Sequence, residues 1–230
     1  MLEKSEREQI IALIHQEVVP AIGCTEPIAV ALCVAKASEI LKNRHPQRIT
    51  AQLSANILKN AMGVGIPGTD MIGLPIAIAL GALIGKSEYG LEVLKDCTPE
   101  AVEEGKKLID TQAIQISLKE GIEEKLYIEV CCEADGNKAT AIISGGHTHF
   151  VYESFNDEVL LNIRSNSNSD TGDKKVNLNL KKVFEFATTT PIEEIRFILE
   201  AKRLNKAAAE RSLAGSYGHE LGKTLCSSRS

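Results

Sequence analysis

Ala21-Ile22-Gly23-Cys24-Thr25-Glu26-Pro27 is the stretch on which the reading of this chain turns. Pro20 and Gly23 interrupt an amphipathic run that ends at Val19. Thr25-Glu26-Pro27 then restarts a helix, with Thr25 as the expected N-cap and Pro27 in the first turn. Cys24 is left at a hinge beside a helix N-terminus. Unpaired N–H groups and the helix dipole favour an anion there, so a thiolate at Cys24 would be stabilised. The same pattern suits a small buried cysteine at a tight turn, because free cysteine is among the most buried residue types. Spacing alone leaves both readings open.

Working outward, residues 5–19 read as an amphipathic helix with Ile10, Leu13, Ile14 and Val18 on one face. Residues 26–42 are apolar almost all round, the mark of a helix buried among others. Arg48 to Leu53 reads as a strand. Gly63, Gly65, Pro67 and Gly68 suggest that the span from Ala61 to Thr69 is a loop whose backbone approaches something closely. Residues 74–85 are a small-residue helix, and 87–95 and 99–110 are further helices. The last opens on Thr98-Pro99-Glu100 as cap, first residue and acidic first turn.

From about residue 113 the apolar period changes from helical to alternating. Residues 113–119, 126–134, 138–144, 148–154 and 158–164 read as strands, with hairpin turns at Asp135-Gly136-Asn137 and Phe155-Asn156-Asp157. Asn166 to Lys175 reads as an exposed loop, and residues 179–187 and 191–209 return to helix. The fold class expected is α+β: a helical domain with an inserted antiparallel-sheet α+β module. Residues 1–95 and 178–230 would form the helical catalytic part and residues 96–177 the insert.

Composition bounds the function. The chain has 230 residues, 43% hydrophobic and 25% charged, with a net charge of −5. That balance and the lack of a basic block give no support for a nucleic-acid partner. The longest apolar run, Leu74 to Ile84, contains Pro75 and Gly81 and is too short to span a bilayer, so a cytoplasmic protein with no membrane partner is expected. Cysteines stand at 24, 33, 97, 131, 132 and 226 without a C-x-x-C pair, and Cys131 and Cys132 point to opposite faces of a strand. Free thiols in a reducing compartment follow.

Polar residues in turn contexts mark where chemistry can sit. Asn56, Lys59 and Asn60 follow i, i+3, i+4 spacing and share a helix face. One ammonium with two amides suits a substrate carboxylate, although a solvated helix face has the same spacing. His147, after Gly145-Gly146, suits a general base, a ligand or a hydrogen-bonded structural role; His149 alternates with it. Neither nucleotide-binding glycine motif is present.

The segments A-I-G-C-T-E-P-I, S-A-N-I-L-K-N-A-M-G-V-G-I-P-G-T, G-L-P-I-A-I-A-L-G-A-L-I-G, G-L-E-V-L-K-D, G-G-H-T and I-R-F-I-L-E resemble the L-cysteine desulfidase family, the UPF0597 proteins. That group is in turn similar to the alpha chain of iron–sulfur L-serine dehydratases. The resemblance spans roughly residues 8 to 225. It implies β-elimination of L-cysteine to pyruvate, ammonia and hydrogen sulfide, with a [4Fe–4S] cluster on three cysteines whose open iron acts as a Lewis acid on the leaving sulfur. Carried over by motif, Cys24 matches the first cluster cysteine, and Ser54, Asn56, Lys59 and Asn60 contribute to the substrate pocket. Thr69 and His147 are further pocket candidates. A base must take the α-proton, and Lys59, lowered in pKa by burial, is the candidate.

Family members continue well beyond this length, with the remaining cluster cysteines in their second half. Cys226-Ser227-Ser228-Arg229-Ser230 departs from the pattern, so a truncation after about residue 225 is expected, with the other cluster ligands outside this chain. The competing readings are an L-serine dehydratase, a pyridoxal-phosphate enzyme using Lys59, and an inactive fragment that self-associates through faces such as Ile195, Ile198 and Leu199. A homo-oligomer and a small amino-acid substrate are the expected partners.

Overall fold

A computed structural model describes residues 2–42, 45–163, 177–217 and 219–228. These form two compact units, one of residues 20–171 and one of residues 1–19 with 172–230.

The larger unit begins with α2 (Thr25–Leu41), followed by β1 (Arg48–Leu53) and α3 (Ala55–Ala61). A two-residue hairpin, β2 (Gly65–Ile66) and β3 (Met71–Ile72), leads to α4 (Leu74–Leu83) and α5 (Pro99–Asp110). Five strands complete it: β4 (Ile114–Leu118), β5 (Tyr127–Ala134), β6 (Asn137–Ser144), β7 (Phe150–Phe155) and β8 (Glu158–Asn162). The sheet order is β4-β1-β5-β6-β7-β8, with β1 parallel to β4 and every other pair antiparallel. This is the α+β class expected, as a mixed sheet with helices stacked on one face.

Period-two alternation explains that stacking. Ile49, Ala51 and Leu53 of β1, Ile128, Val130 and Cys132 of β5, and Ala139, Ala141 and Ile143 of β6 are all buried on the face under α2. Helix α2 packs on that face and on α4, so twelve of its residues from Pro27 to Leu41 are buried. The crossing is close because Gly81 lies against Ala31: a Cβ there would sit 2.5 Å from the Ala31 carbonyl oxygen. Asp135 and Gly136 both take positive φ, the two-residue turn that matches strand twist, and Asn156-Asp157 closes the next hairpin.

The smaller unit contains α1 (Lys4–Glu17), α6 (Leu180–Thr189), α7 (Ile192–Ile195), α8 (Leu199–Ala214) and α9 (Leu221–Ser227). Arg7 pairs with Glu194 at 2.7 Å, Lys182 with Glu6 at 2.7 Å, and the His15 ring stacks on Phe197 at 3.8 Å.

Several expectations are corrected. The helices between residues 25 and 95 pack with the sheet, their apolar faces completed by β1, β5 and β6. The segment expected as a helix over 87–95 is a 3-10 turn, Ser87–Glu92, broken at Gly90. The helix expected over 191–209 is three pieces, with a 3-10 turn at Arg196–Ile198 between α7 and α8. The expected loop from Asn166 to Lys175 lies outside the described residues.

Candidate functional site

The hinge before α2 is built by Gly23, which holds a φ of +78°, a conformation glycine adopts at little cost. Its missing side chain also admits the Pro67 ring: a Cβ there would lie 2.8 Å from Pro67 Cγ. The Ile22 amide donates to the Leu91 carbonyl at 3.1 Å and ties the hinge to the 3-10 turn. The G-C-T-E-P and P-G-T motifs thus meet in space.

Cys24, not Thr25, is the N-cap of α2, and its thiol caps no amide. Instead Cys24 Sγ donates to Glu26 Oε2 at 3.0 Å. Thr25 Oγ1 donates to the same oxygen at 3.2 Å, and Asn60 Nδ2 donates to Glu26 Oε1 at 3.3 Å. Glu26 is therefore the hub of the arrangement. The sequence pattern singled out Cys24, Thr25 and Pro27 here and gave Glu26 no role. The signal that would have found it is a carboxylate two residues past a hinge cysteine. These three donors, the Cys24 thiol foremost, hold the Glu26 carboxyl below its ordinary range. Partial burial, then the carboxylate beside it, push the Cys24 thiol above its ordinary value. In this arrangement Cys24 is the hydrogen-bond donor and Glu26 the acceptor, where the helix N-terminus alone would favour a thiolate.

The other expected residues divide. Helix α3 carries Asn56, Lys59 and Asn60, all exposed, and Asn60 brings that helix to Glu26. Lys59 is exposed on α3, so the burial on which its reading as the base rested is absent. Ser54 is 2% exposed and caps α3. Its hydroxyl donates to the Lys125 carbonyl at 2.8 Å and accepts from the amides of Tyr127 at 3.3 Å and Ile57 at 3.5 Å. Thr69 is also buried, its hydroxyl donating to the Ile66 carbonyl at 2.7 Å and accepting from the Met71 amide at 3.0 Å. Both hydroxyls hold backbone. His147 lies in the turn joining β6 to β7, where it is His149 whose Nδ1 donates to the Ser144 carbonyl at 2.9 Å.

A hollow of about 1050 Å³ opens on the other face of the sheet, floored by Tyr127, Glu129 and Thr140. Neither the Cys24–Glu26 pair nor α3 lines it. Within it Lys119 lies 2.9 Å from Glu129.

The cluster expectation places only Cys24 of the three ligands in this chain. Among the described residues no three His, Cys, Asp or Glu side chains are grouped to hold a metal. Cys33 and Cys132 lie in the core between α2 and the sheet, where burial pushes the Cys132 thiol to about 12 and that of Cys33 well up. Cys97 packs against Gly68, and Cys226 is exposed on α9.

Comparison with known proteins places the sequence. It is 74% identical over 230 residues to a UPF0597 protein of Phocaeicola vulgatus, covering 100% of this chain and 53% of that one. A UPF0597 protein of Bacteroides fragilis is 69% identical over 224 residues, and one of Bacteroides thetaiotaomicron 65% over 222, each with 52% of the relative covered. The first match runs over all 230 residues, so the departure expected after Leu225 is not a break in similarity. No family model and no solved structure matches. Among the described residues no helix is long and apolar enough to cross a membrane. Over its 230 residues this chain is similar to UPF0597 proteins, and it spans about half the length of the curated relatives it matches.

Proposed function

We propose that this chain carries the proton-handling half of an enzyme that eliminates sulfide from L-cysteine. The observation that supports the reading is the hydrogen bond from Cys24 Sγ to Glu26 Oε2 at 3.0 Å, beside a helix that presents an ammonium and two amides. In β-elimination a base removes the α-proton, the Cα–H electron pair becomes the Cα=Cβ bond, and the Cβ–S pair leaves with sulfur. The aminoacrylate that forms tautomerises to an imine, and water converts it to pyruvate and ammonia.

In this reading Cys24 passes its proton to Glu26, and the thiolate so formed takes the α-proton from the substrate. The transfer exchanges one anion for another over a single hydrogen bond and is uphill in the resting site, where the thiol is raised and the carboxyl lowered, so it proceeds only together with uptake of the α-proton. Asn60 and Thr25 keep the carboxylate aimed at the sulfur. Lys59, with Asn56, binds the substrate carboxylate as charge plus hydrogen bond, and it is not the base. The [4Fe–4S] cluster of the desulfidase reading would take its ligands from outside the described residues.

The test is anaerobic. The chain is co-expressed with the part of the P. vulgatus protein outside the match, reconstituted with iron and sulfide, and assayed for sulfide and pyruvate from L-cysteine. Equal release of both products, lost in Cys24→Ala, is expected. Release from L-serine with none from L-cysteine would replace the substrate, and no release from either would overturn the reading.

A further inference from the structure

The two units differ sharply in how they bury apolar surface. The unit of residues 20–171 has a continuous core of fully buried side chains from α2, α4 and the sheet. Among the described residues of the other unit only Ile10 and Phe186 are buried. Helix α8 is 16 residues long and has no buried residue. A lone helix of that length is marginal in water, and most helix stability in proteins comes from packing one face. Helix α6 turns Leu180, Val183 and Phe184 outward at i, i+3, i+4 spacing, with Leu180 86% and Phe184 68% exposed. Helix α9 likewise exposes Leu221 and Leu225, one turn apart. Contiguous apolar surface of this kind marks a binding face.

We propose that these outward faces of α6, α8 and α9 are the docking surface for the part of a UPF0597 protein that lies outside the match. The relatives carry this same sequence as 51–53% of a longer chain, so the remaining half is available to cover it. A covering segment in the same chain acts at an effective concentration of about millimolar, whereas a second copy acts only at its bulk concentration. The ring of charge on the helices suits this orientation too: Lys182 and Glu194 are engaged with Glu6 and Arg7 of α1, which leaves the apolar side of α6 as the surface to be filled.

Hydrogen exchange read by mass spectrometry tests the assignment independently of any activity. Peptides of α6, α8 and α9 are compared between the 230-residue chain, at a dilution where sedimentation shows a monomer, and the full-length P. vulgatus protein. Slowing by about 100-fold in the full-length protein is expected, with α2 and α4 slow in both. In a second arm the 230-residue chain is co-expressed with the tagged remainder of the P. vulgatus protein. Phe184→Asp, at an exposed position that leaves the fold intact, should reduce co-purification at least about tenfold. Lys107→Glu, on α5 of the other unit, should not.

Equal and fast exchange in both proteins would overturn the proposal. So would slow exchange already present in the dilute monomer, or protection that rises with the concentration of the 230-residue chain alone, which would make a second copy the occupant. Phe184→Asp co-purifying like the parent would overturn it as well.

Discussion

Replacing Glu26 by Gln removes one negative charge next to the Cys24 thiol and keeps an acceptor of nearly the same shape. The two groups are 3.0 Å apart, for which Coulomb's law gives about 1.4 kcal/mol at a dielectric of about 80 and about 5.5 kcal/mol at about 20. Cys24 is only partly buried, so the smaller figure governs, and about 1.4 kcal/mol is about one pKa unit. Glu26→Gln should therefore lower the Cys24 pKa and raise its iodoacetamide rate at pH 8 by up to about tenfold. The assay follows carboxamidomethylation of the Cys24 peptide by mass spectrometry from pH 7 to 10, with Cys226 as an exposed reference in the same sample. The sign also fixes the pH dependence of stability. Cys24, raised in the fold, contributes stability that is complete below its unfolded pKa and lost as pH rises through the folded value. Glu26, lowered in the fold, contributes stability present above its unfolded pKa and lost as pH falls through the folded value. An unchanged or slower Cys24 rate in Glu26→Gln would refute the coupling of thiol and carboxylate.

Gly81→Ala places a Cβ 2.5 Å from the Ala31 carbonyl, which is backbone and cannot step aside; a loss of about 3 kcal/mol, or about 6–12 °C in Tm by calorimetry, is expected. Leu32→Ala empties a fully enclosed site between α2 and the sheet, and chemical denaturation should show a loss of about 3 kcal/mol. Ser54→Ala strands the buried amides of Tyr127 and Ile57 and should cost about 2 kcal/mol, whereas Asn56→Ala, on the exposed face of α3, should stay within about 0.5 kcal/mol. Cys33 and Cys132 should resist alkylation until the protein unfolds, while Cys226 labels at once.

Patterns that answer to one physical cause were readable in the chain. The alternation in β5 and β6 comes from a sheet covered on one face, and Asp135-Gly136 is dictated by positive φ at two successive residues. Thr98-Pro99-Glu100 opens α5 as expected, with Thr98 Oγ1 accepting from the Ala101 amide at 3.3 Å. Helix α2, apolar all round, is buried all round.

Readings that required knowledge of a partner in space went astray. Ser54 and Thr69 sit in the same polar, glycine-rich contexts as Asn60, yet their hydroxyls hold backbone while the Asn60 amide reaches Glu26. Nothing in the local sequence separates a hydroxyl that serves an amide from one that meets a ligand. Lys59 as the base required burial, but Ile57 and Ala61 take the inward face of α3 and Lys59 the outward one. The thiolate reading of Cys24 weighed the helix dipole without the carboxylate two residues on. The division into units was also illegible, because an amphipathic stripe states that a helix packs and not against which element.

The claim at the centre of this account is that Cys24, served by Glu26, removes the α-proton. Release of deuterium into water from L-cysteine labelled at Cα measures that step itself, using the chain co-expressed with the remainder of the P. vulgatus protein. The account predicts release by the parent pair, none by Cys24→Ala, a reduced rate in Glu26→Gln, and in Lys59→Ala a raised KM with release retained at saturation. Release at the parent rate from Cys24→Ala, or its abolition at saturating substrate in Lys59→Ala, would contradict it.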